Sequence, residues 1–194
     1  MTLEQKIRKA IYPIVMAAGK LVGMKYGIEK NNTIRRPRES FYLLTGLTID
    51  GKLMNFSMLQ GKKVLLVNTA SDCGYTGQYD DLEKLHQQFG KTLVVIGFPA
   101  NDFKEQEKGN DEDIATFCRR NYGVTFTLMK KSIVIKGEHQ NDVYKWLTSA
   151  DKNGWNDKAP EWNFAKYLVN EDGVLTHYFS PAVSPMSEEI LRNL

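Results

Sequence analysis

The feature that most constrains the fold is a strand–helix–strand pattern between residues 64 and 98. Residues 64–70 begin as an apolar run and end in small polar residues, and residues 92–98 form a second apolar run. Between the two runs, apolar side chains recur every three or four positions, which predicts a helix over about 76–89. Two buried strands joined by one helix form a βαβ unit, in which the strands are parallel.

Further elements surround this unit. Residues 41–49 and 52–58 predict the two strands of an N-terminal β-hairpin, because Asp50-Gly51 allows the positive φ that a two-residue turn requires. Downstream, the sequence predicts these elements in order: a helix capped at Asn110, a short strand near 131–136, a helix over 141–150, a polar loop over 151–160, a hairpin over 166–170 and 174–179, and a final helix over 187–194. This order predicts an α/β protein of thioredoxin-like fold, with a central mixed sheet and flanking helices.

The first 39 residues differ in character from the rest. Residues 1–40 hold nine Lys/Arg and three Asp/Glu, whereas the whole chain has a net charge of only +3. A basic start followed by an apolar stretch up to Met24 predicts an amphipathic helix that packs on the domain or on a membrane surface. Residues 30–39 predict a linker. We therefore divide the chain into a basic amphipathic extension with its linker (1–39) and one domain (40–194).

Two other interpretations of the extension are open. An export signal is the minority alternative. A membrane-spanning anchor is disfavoured, because Pro13 and Lys20 interrupt a run far shorter than the ~20 residues needed to cross a bilayer. The expected location is the cytoplasm.

Composition excludes several functions. The chain has two cysteines, Cys73 and Cys118, which is too few for a secreted disulfide scaffold and lacks Cys-x-x-Cys spacing. The three histidines are scattered, so the sequence predicts no metal and no cofactor. The basic surplus is confined to the extension and accompanies no base-reading motif, so nucleic acid is not an expected partner.

Cys73 follows the first buried strand and precedes the helix. Free backbone N–H groups and the dipole of a helix start favour negative charge, so this position favours a thiolate. Because the thiolate is the nucleophilic form of cysteine, Cys73 is the candidate reactive residue. We expect its sulfur to be open to solvent.

Three segments in order resemble the glutathione peroxidase family. Residues 68–76, around Cys73, resemble the family's peroxidatic segment, and residues 97–103 and 161–169 resemble its next two blocks. Residues 117–126 resemble the helix that carries the resolving cysteine in thioredoxin-dependent members. The resemblance covers about residues 40–194.

The resemblance implies a thiol peroxidase that reduces hydrogen peroxide and organic hydroperoxides. Cys73 would form a sulfenic acid, with Trp162 and Asn163 as hydrogen-bond donors on a turn just before the strand at Lys166. Cys118 would be the resolving thiol, giving a Cys73–Cys118 disulfide that thioredoxin (or glutathione) reduces. Cys118 shares an apolar helical face with Ile114, so we expect its helix to unwind locally. The alternative is a peroxide sensor that relays its disulfide to a partner protein.

The chain departs from the family at one site position. Asp102 stands where the family carries a glutamine, and a carboxylate there would oppose a thiolate unless it is protonated or turned away. Asn101 or Gln106 could supply the missing amide. The loop over 151–160 is short, and by resemblance this favours a monomer or dimer that uses thioredoxin.

Overall fold

A six-stranded mixed sheet organises residues 1–21 and 27–194, the part of the chain that the computed structural model describes. The strands are β1 (Ile28–Lys30), β2 (Thr45–Leu47), β3 (Leu53–Asn55), β4 (Lys63–Thr69), β5 (Leu93–Pro99), β6 (Thr127–Leu128), β7 (Lys166–Val169) and β8 (Leu175–Phe179). The helices are α1 (Leu3–Leu21), α2 (Gln78–Phe89), α3 (Asp111–Tyr122), α4 (Asp142–Leu147), α5 (Ala150–Asn153) and α6 (Glu188–Leu191). The sheet order is β1-β8-β7-β4-β5-β6, and β2 and β3 pair separately.

The central topology confirms the predicted fold class. β4 and β5 pair in parallel around α2, whereas β7 pairs antiparallel with β4 and β8 antiparallel with β7. β4 is buried on both faces, which explains its continuous apolar run. Val64 and Leu66 face one apolar cluster, and Leu65 and Val67 face the other, which also contains Cys73.

The N-terminal hairpin forms where the sequence predicts it, but its strands are shorter. β2 and β3 are antiparallel, and Gly51 at the turn has a φ of 82°. The flanking residues, Phe41–Leu43 and Phe56–Leu59, form 3-10 helices. These tight turns direct Phe41 and Phe56 inward, where their rings pack 5.2 Å apart and Phe41 also meets Trp146.

The predicted strand near 131–136 is wrong. The strand in this region is β6, at Thr127–Leu128, and Ile133 makes only an isolated bridge to Gln140. Only one bond reaches a neighbouring strand, from the Ser132 N–H to the Pro99 carbonyl at the end of β5 (3.0 Å). Carboxylates satisfy two other backbone groups: Asp111 accepts from the Lys131 N–H (2.8 Å) and Asp102 from the Val134 N–H (2.7 Å). The predicted loop over 151–160 also differs, because α5 occupies its first residues.

The helix predicted in the extension is present as α1 and packs on the domain. The Tyr12 side chain is buried against Gly77, where a Cβ would approach the Tyr12 Cγ to 2.6 Å, so only glycine fits. Lys9 Nζ lies 3.1 Å from Asp80 Oδ1 and 4.0 Å from the centre of the Tyr122 ring. α1 therefore contacts both α2 and α3.

The predicted apolar stretch ends at Met24, and residues 22–24 lie outside the described residues. Among the residues that are described, no helix is both long and apolar enough to traverse a bilayer. Residues 28–30, which we assign to the extension, form β1 at the sheet edge, antiparallel to β8. A three-residue strand that is largely exposed has no apolar pattern, so the sequence does not reveal it. The division at residue 39 stays an interpretation.

Candidate active site

Cys73 lies on the turn that joins β4 to α2. Thr76 organises this turn: its hydroxyl accepts from the Cys73 N–H (2.9 Å) and lies within hydrogen-bond distance of the carbonyls of Ala70 (3.0 Å) and Cys73 (2.7 Å). The Tyr75 N–H points at Cys73 Sγ from 3.4 Å. This backbone N–H is a donor from which a thiolate at Cys73 could accept a hydrogen bond.

The accessibility of Cys73 differs from the expectation. Only 1% of the residue is exposed, and it packs in the apolar cluster with Ala70 and Phe164, whereas the sequence suggested an open sulfur. Tyr75 is partly buried beside it, and burial first and the charge of Cys73 second raise the pKa of the Tyr75 hydroxyl. The sulfur is therefore almost inaccessible to solvent in this conformation.

Trp162 and Asn163 lie on a bend and turn just before β7, as predicted. Asn68, at the end of β4, holds this turn through both of its amide atoms. Its Nδ2 donates to the Trp162 carbonyl (3.0 Å), and its Oδ1 accepts from the Ala165 N–H (3.1 Å). Phe164 takes a positive φ of 69°, a strained value for a non-glycine residue.

Asn68 is a positioning residue that the sequence analysis did not single out. It is fully buried, although it continues the apolar run of β4. A polar amide inside a buried strand needs hydrogen-bond partners, because leaving it unpaired costs about 1–3 kcal/mol. An asparagine that continues an apolar strand was the signal in the sequence from which this positioning role could have been inferred.

Gln106 joins the Cys73 turn to the Trp162–Asn163 turn. Its side-chain Oε1 accepts from Asn163 Nδ2 (3.0 Å), and its carbonyl accepts from the Asp72 N–H (3.0 Å). Asn163 is fully buried, and its Oδ1 has no hydrogen-bond partner among the described residues. Gln106 is thus the amide that meets Asn163.

The structure places the other two candidates away from Asn163. Asp102 Oδ2 accepts from the Val134 N–H, so the carboxylate is turned toward the segment after β6. Asn101 Oδ1 accepts from the Glu107 N–H (2.9 Å). Lys104 and Glu105 both have a φ of 51° and turn the chain between Asp102 and Gln106.

Trp162 forms the outer part of the site. Its ring lies 5.7 Å from the Phe103 ring, and Lys104 Nζ lies 5.7 Å from its centre. It is half-buried and packs against the cluster that contains Cys73. The segments that carry Cys73, Gln106 and Trp162 therefore meet at the carboxyl ends of β4 and β5.

Cys118 is fully buried on α3, and it forms no disulfide with Cys73 in this conformation. A complete capping box at Asn110 stabilises the start of α3. Burial raises the pKa of the Cys118 thiol to about 12; the Tyr79 hydroxyl opposes this shift and the charge of Glu107 adds to it. In this conformation Cys118 is a protonated thiol inside an intact helix.

Known proteins of the same architecture place this arrangement in a class. A thioredoxin family thiol:disulfide interchange protein from Chlorobium tepidum superposes with a TM-score of 0.60 over 82% of this chain and 95% of its own, at 14% identity. That likeness shows the fold alone. The class that these observations define is a thioredoxin-like α/β protein with a cysteine between its first central parallel strand and the following helix.

Closer relatives identify the family. Residues 41–148 match the glutathione peroxidase family model. Glutathione peroxidase-like peroxiredoxin 2 of Saccharomyces cerevisiae is 44% identical over 149 residues, which cover 76% of this chain and 91% of the relative. Glutathione peroxidase-like peroxiredoxin GPX5 of Chlamydomonas reinhardtii is 45% identical over 148 residues, which cover 76% of this chain and 90% of the relative. T. cruzi GPX1 superposes with a TM-score of 0.59 at 29% identity, over 80% of this chain and 93% of that one. The chain belongs to the glutathione peroxidase family and is a peroxidase of that kind.

Proposed function

We propose that this peroxidase reduces hydrogen peroxide and organic hydroperoxides through Cys73. The Cys73 thiolate attacks the terminal peroxide oxygen, the S–O bond forms as the O–O bond breaks, and the departing oxygen takes a proton to become water or an alcohol. The products are a sulfenic acid on Cys73 and the reduced substrate. The observation that carries this proposal is the Tyr75 N–H directed at the sulfur, on a turn bonded through Gln106 to Asn163.

In the second half of the cycle, Cys118 attacks the sulfenic acid and water leaves, which forms a Cys73–Cys118 disulfide. A disulfide needs the two Cα atoms within about 7 Å, and Cys118 is buried in α3, so this step requires local unwinding of the helix. Thioredoxin then reduces the disulfide. The yeast relative and the algal relative are both named peroxiredoxins, and these names support a dithiol protein over glutathione as the reductant.

Steady-state peroxide consumption separates this function from a sensor role. With thioredoxin and its reductase, we expect continuous turnover that exceeds turnover with glutathione. A sensor would be oxidised once and would then need a partner protein to continue. Multiple turnovers per enzyme with thioredoxin support the proposal, and a single oxidation without turnover by either reductant contradicts it.

We infer that Gln106 takes the place of the family's glutamine at Asp102. We expect Gln106→Ala to slow oxidation of Cys73 by about 10- to 100-fold, because Asn163 loses its partner and the site loses its geometry. Stopped-flow fluorescence of the reduced protein mixed with hydrogen peroxide measures this rate.

Asp102→Asn is the matched control. The asparagine Oδ1 can still accept from the Val134 N–H, so the oxidation rate should stay within about twofold and stability should fall by about 1 kcal/mol. If Asp102→Asn slowed oxidation more than Gln106→Ala, the assignment of Gln106 would be wrong.

We also propose that the extension (1–39) makes peripheral contact with an anionic membrane surface. Four apolar residues lie on one face of α1 and are 45–76% exposed: Leu3, Ile7, Ile11 and Ile14. Tyr12 and Lys9 occupy the face that packs on the domain, so this stripe has no partner in the described part of the chain. An exposed apolar stripe on a basic segment suits the boundary between headgroups and acyl chains. The proposed location is the cytoplasm, as a monomer or dimer.

Sedimentation with vesicles tests this contact. We expect the protein to bind vesicles of mixed phosphatidylcholine and phosphatidylglycerol, more weakly at high salt, and Ile7→Ser/Ile14→Ser to reduce binding at least about tenfold, because each buried CH₂ contributes roughly 0.8 kcal/mol. Leu43→Ser is the control, since Leu43 is 81% exposed on the domain. Equal binding of all three proteins contradicts the proposal, and so does self-association through α1 without vesicle binding.

A further inference from the structure

Helix α1 contacts α3 close to the residue that the resolving step uses. Cys118 lies in the C-terminal half of α3, and its carbonyl accepts from the Val124 N–H (3.3 Å) just beyond the helix. Lys9 of α1 reaches the last turn of the same helix: its Nζ donates to the Asn121 carbonyl (3.0 Å) and lies 4.0 Å from the centre of the Tyr122 ring. A carbonyl in the last turn has no partner within its helix, so a cation there stabilises the helical form.

The other contacts of α1 fix Lys9 in this position. The same Nζ lies 3.1 Å from Asp80 Oδ1, so one ammonium group joins α2 to α3. Tyr12 lies three residues after Lys9, on the same face of α1, and its ring is buried against Gly77 beside the start of α2. Burial of an aromatic ring contributes more to such packing than a partly exposed ion pair does. Tyr12 therefore holds α1 on the domain and places Lys9 beside the end of α3.

We propose that α1 restrains α3 in its helical form and thereby sets the rate of the resolving step, an inference that rests on the proposed disulfide mechanism. Cys118 reaches Cys73 only after local unwinding of α3, and unwinding at Cys118 displaces the turn that follows it. The contacts of Lys9 with the Asn121 carbonyl and the Tyr122 ring must then break before the disulfide forms. Release of α1 makes this step faster, and the docked helix lets the sulfenic acid persist longer.

The peroxide step does not depend on these contacts. The Cys73 N–H is bonded to the Thr76 hydroxyl and the Tyr75 N–H points at the sulfur, and a change of the Lys9 side chain leaves both in place. A general loosening of the fold would slow both steps, whereas the loss of a restraint on α3 accelerates the second step alone. The sign of the effect therefore separates a restraint from a merely structural role.

Rapid-quench measurement of the full-length protein after one equivalent of hydrogen peroxide tests the restraint. A sulfenic-acid trap reports the first step, and loss of free thiols reports the second. We expect Lys9→Met to leave sulfenic-acid formation unchanged and to accelerate disulfide formation by about 5- to 30-fold, because a charged hydrogen-bond donor is lost where its side chain is 33% exposed. Tyr12→Ala should accelerate the same step, because α1 loses the ring that holds it on the domain.

Lys6→Met is the matched control, since it removes the same charge from an exposed position of α1. Both steps should then match the wild type. Amide hydrogen exchange of the reduced proteins gives a readout that is independent of peroxide. Exchange at residues 118–122 should be about 5- to 30-fold faster in Lys9→Met than in the wild type or in Lys6→Met, because exchange there reports local opening of α3.

Wild-type rates of disulfide formation in Lys9→Met and Tyr12→Ala would overturn the inference, and so would slowing of both steps in these variants. A wild-type protein that forms the sulfenic acid but no disulfide would instead contradict the proposed function, so the two failures are distinguishable.

Discussion

Cys73→Ser should reduce peroxide consumption by at least about 1000-fold, because a neutral serine hydroxyl is a far weaker nucleophile than a thiolate at neutral pH. The substitution is nearly isosteric. The hydrogen bond from the backbone N–H of residue 73 to the Thr76 hydroxyl can stay in place, and the Tyr75 N–H can donate to the new oxygen. The loss would therefore report chemistry and not folding. Consumption of hydrogen peroxide with thioredoxin and its reductase measures it.

The control for this substitution is the melting temperature, which should change little. A Cys73→Ser protein that folds normally and still consumes peroxide at the native rate would show that the reactive group lies elsewhere. Slow residual oxidation at Cys118 would agree with the account, since burial keeps that thiol protonated.

Cys118→Ser should separate the two halves of the cycle. The first oxidation should proceed at nearly the wild-type rate, because Cys118 is buried on α3 and the proposed mechanism uses it only after the sulfenic acid has formed. Turnover with thioredoxin should fall by at least about 100-fold, since a sulfenic acid without a resolving thiol persists or oxidises further. A stopped-flow burst followed by steady-state turnover measures both quantities in one protein.

Glutathione provides the complementary measurement for this variant. A small thiol can reach a sulfenic acid directly, so glutathione should support Cys118→Ser as well as it supports the wild type. Undiminished turnover with thioredoxin in the variant would contradict the proposed disulfide.

The sequence reveals the centre of this fold better than its edges. The apolar runs of β4 and β5 and the periodic face of α2 are strong signals, because both strands are buried on two faces. β1 is short and polar, so its own sequence does not predict a strand. It pairs with the edge strand β8, whose position is set by the rest of the sheet. The segment after β6 looks like a strand, but carboxylates of Asp102 and Asp111 satisfy its backbone from distant parts of the chain.

The same division applies to the candidate site. The turn that carries Trp162 and Asn163 follows from local sequence, since adjacent residues on a strand would face opposite sides. The orientation of Asp102 does not, because it is decided by the Val134 N–H far along the chain. The burial of Cys73 likewise depends on packing between segments, including Phe164, that are distant in sequence.

The most direct test of the account is the thiol count of the wild-type protein after one equivalent of hydrogen peroxide. We predict that no free thiol remains and that peptides containing Cys73 and Cys118 are joined by a disulfide. Two free thiols after the peroxide has been consumed, or a stable oxidised Cys73 beside an unreacted Cys118, would contradict it.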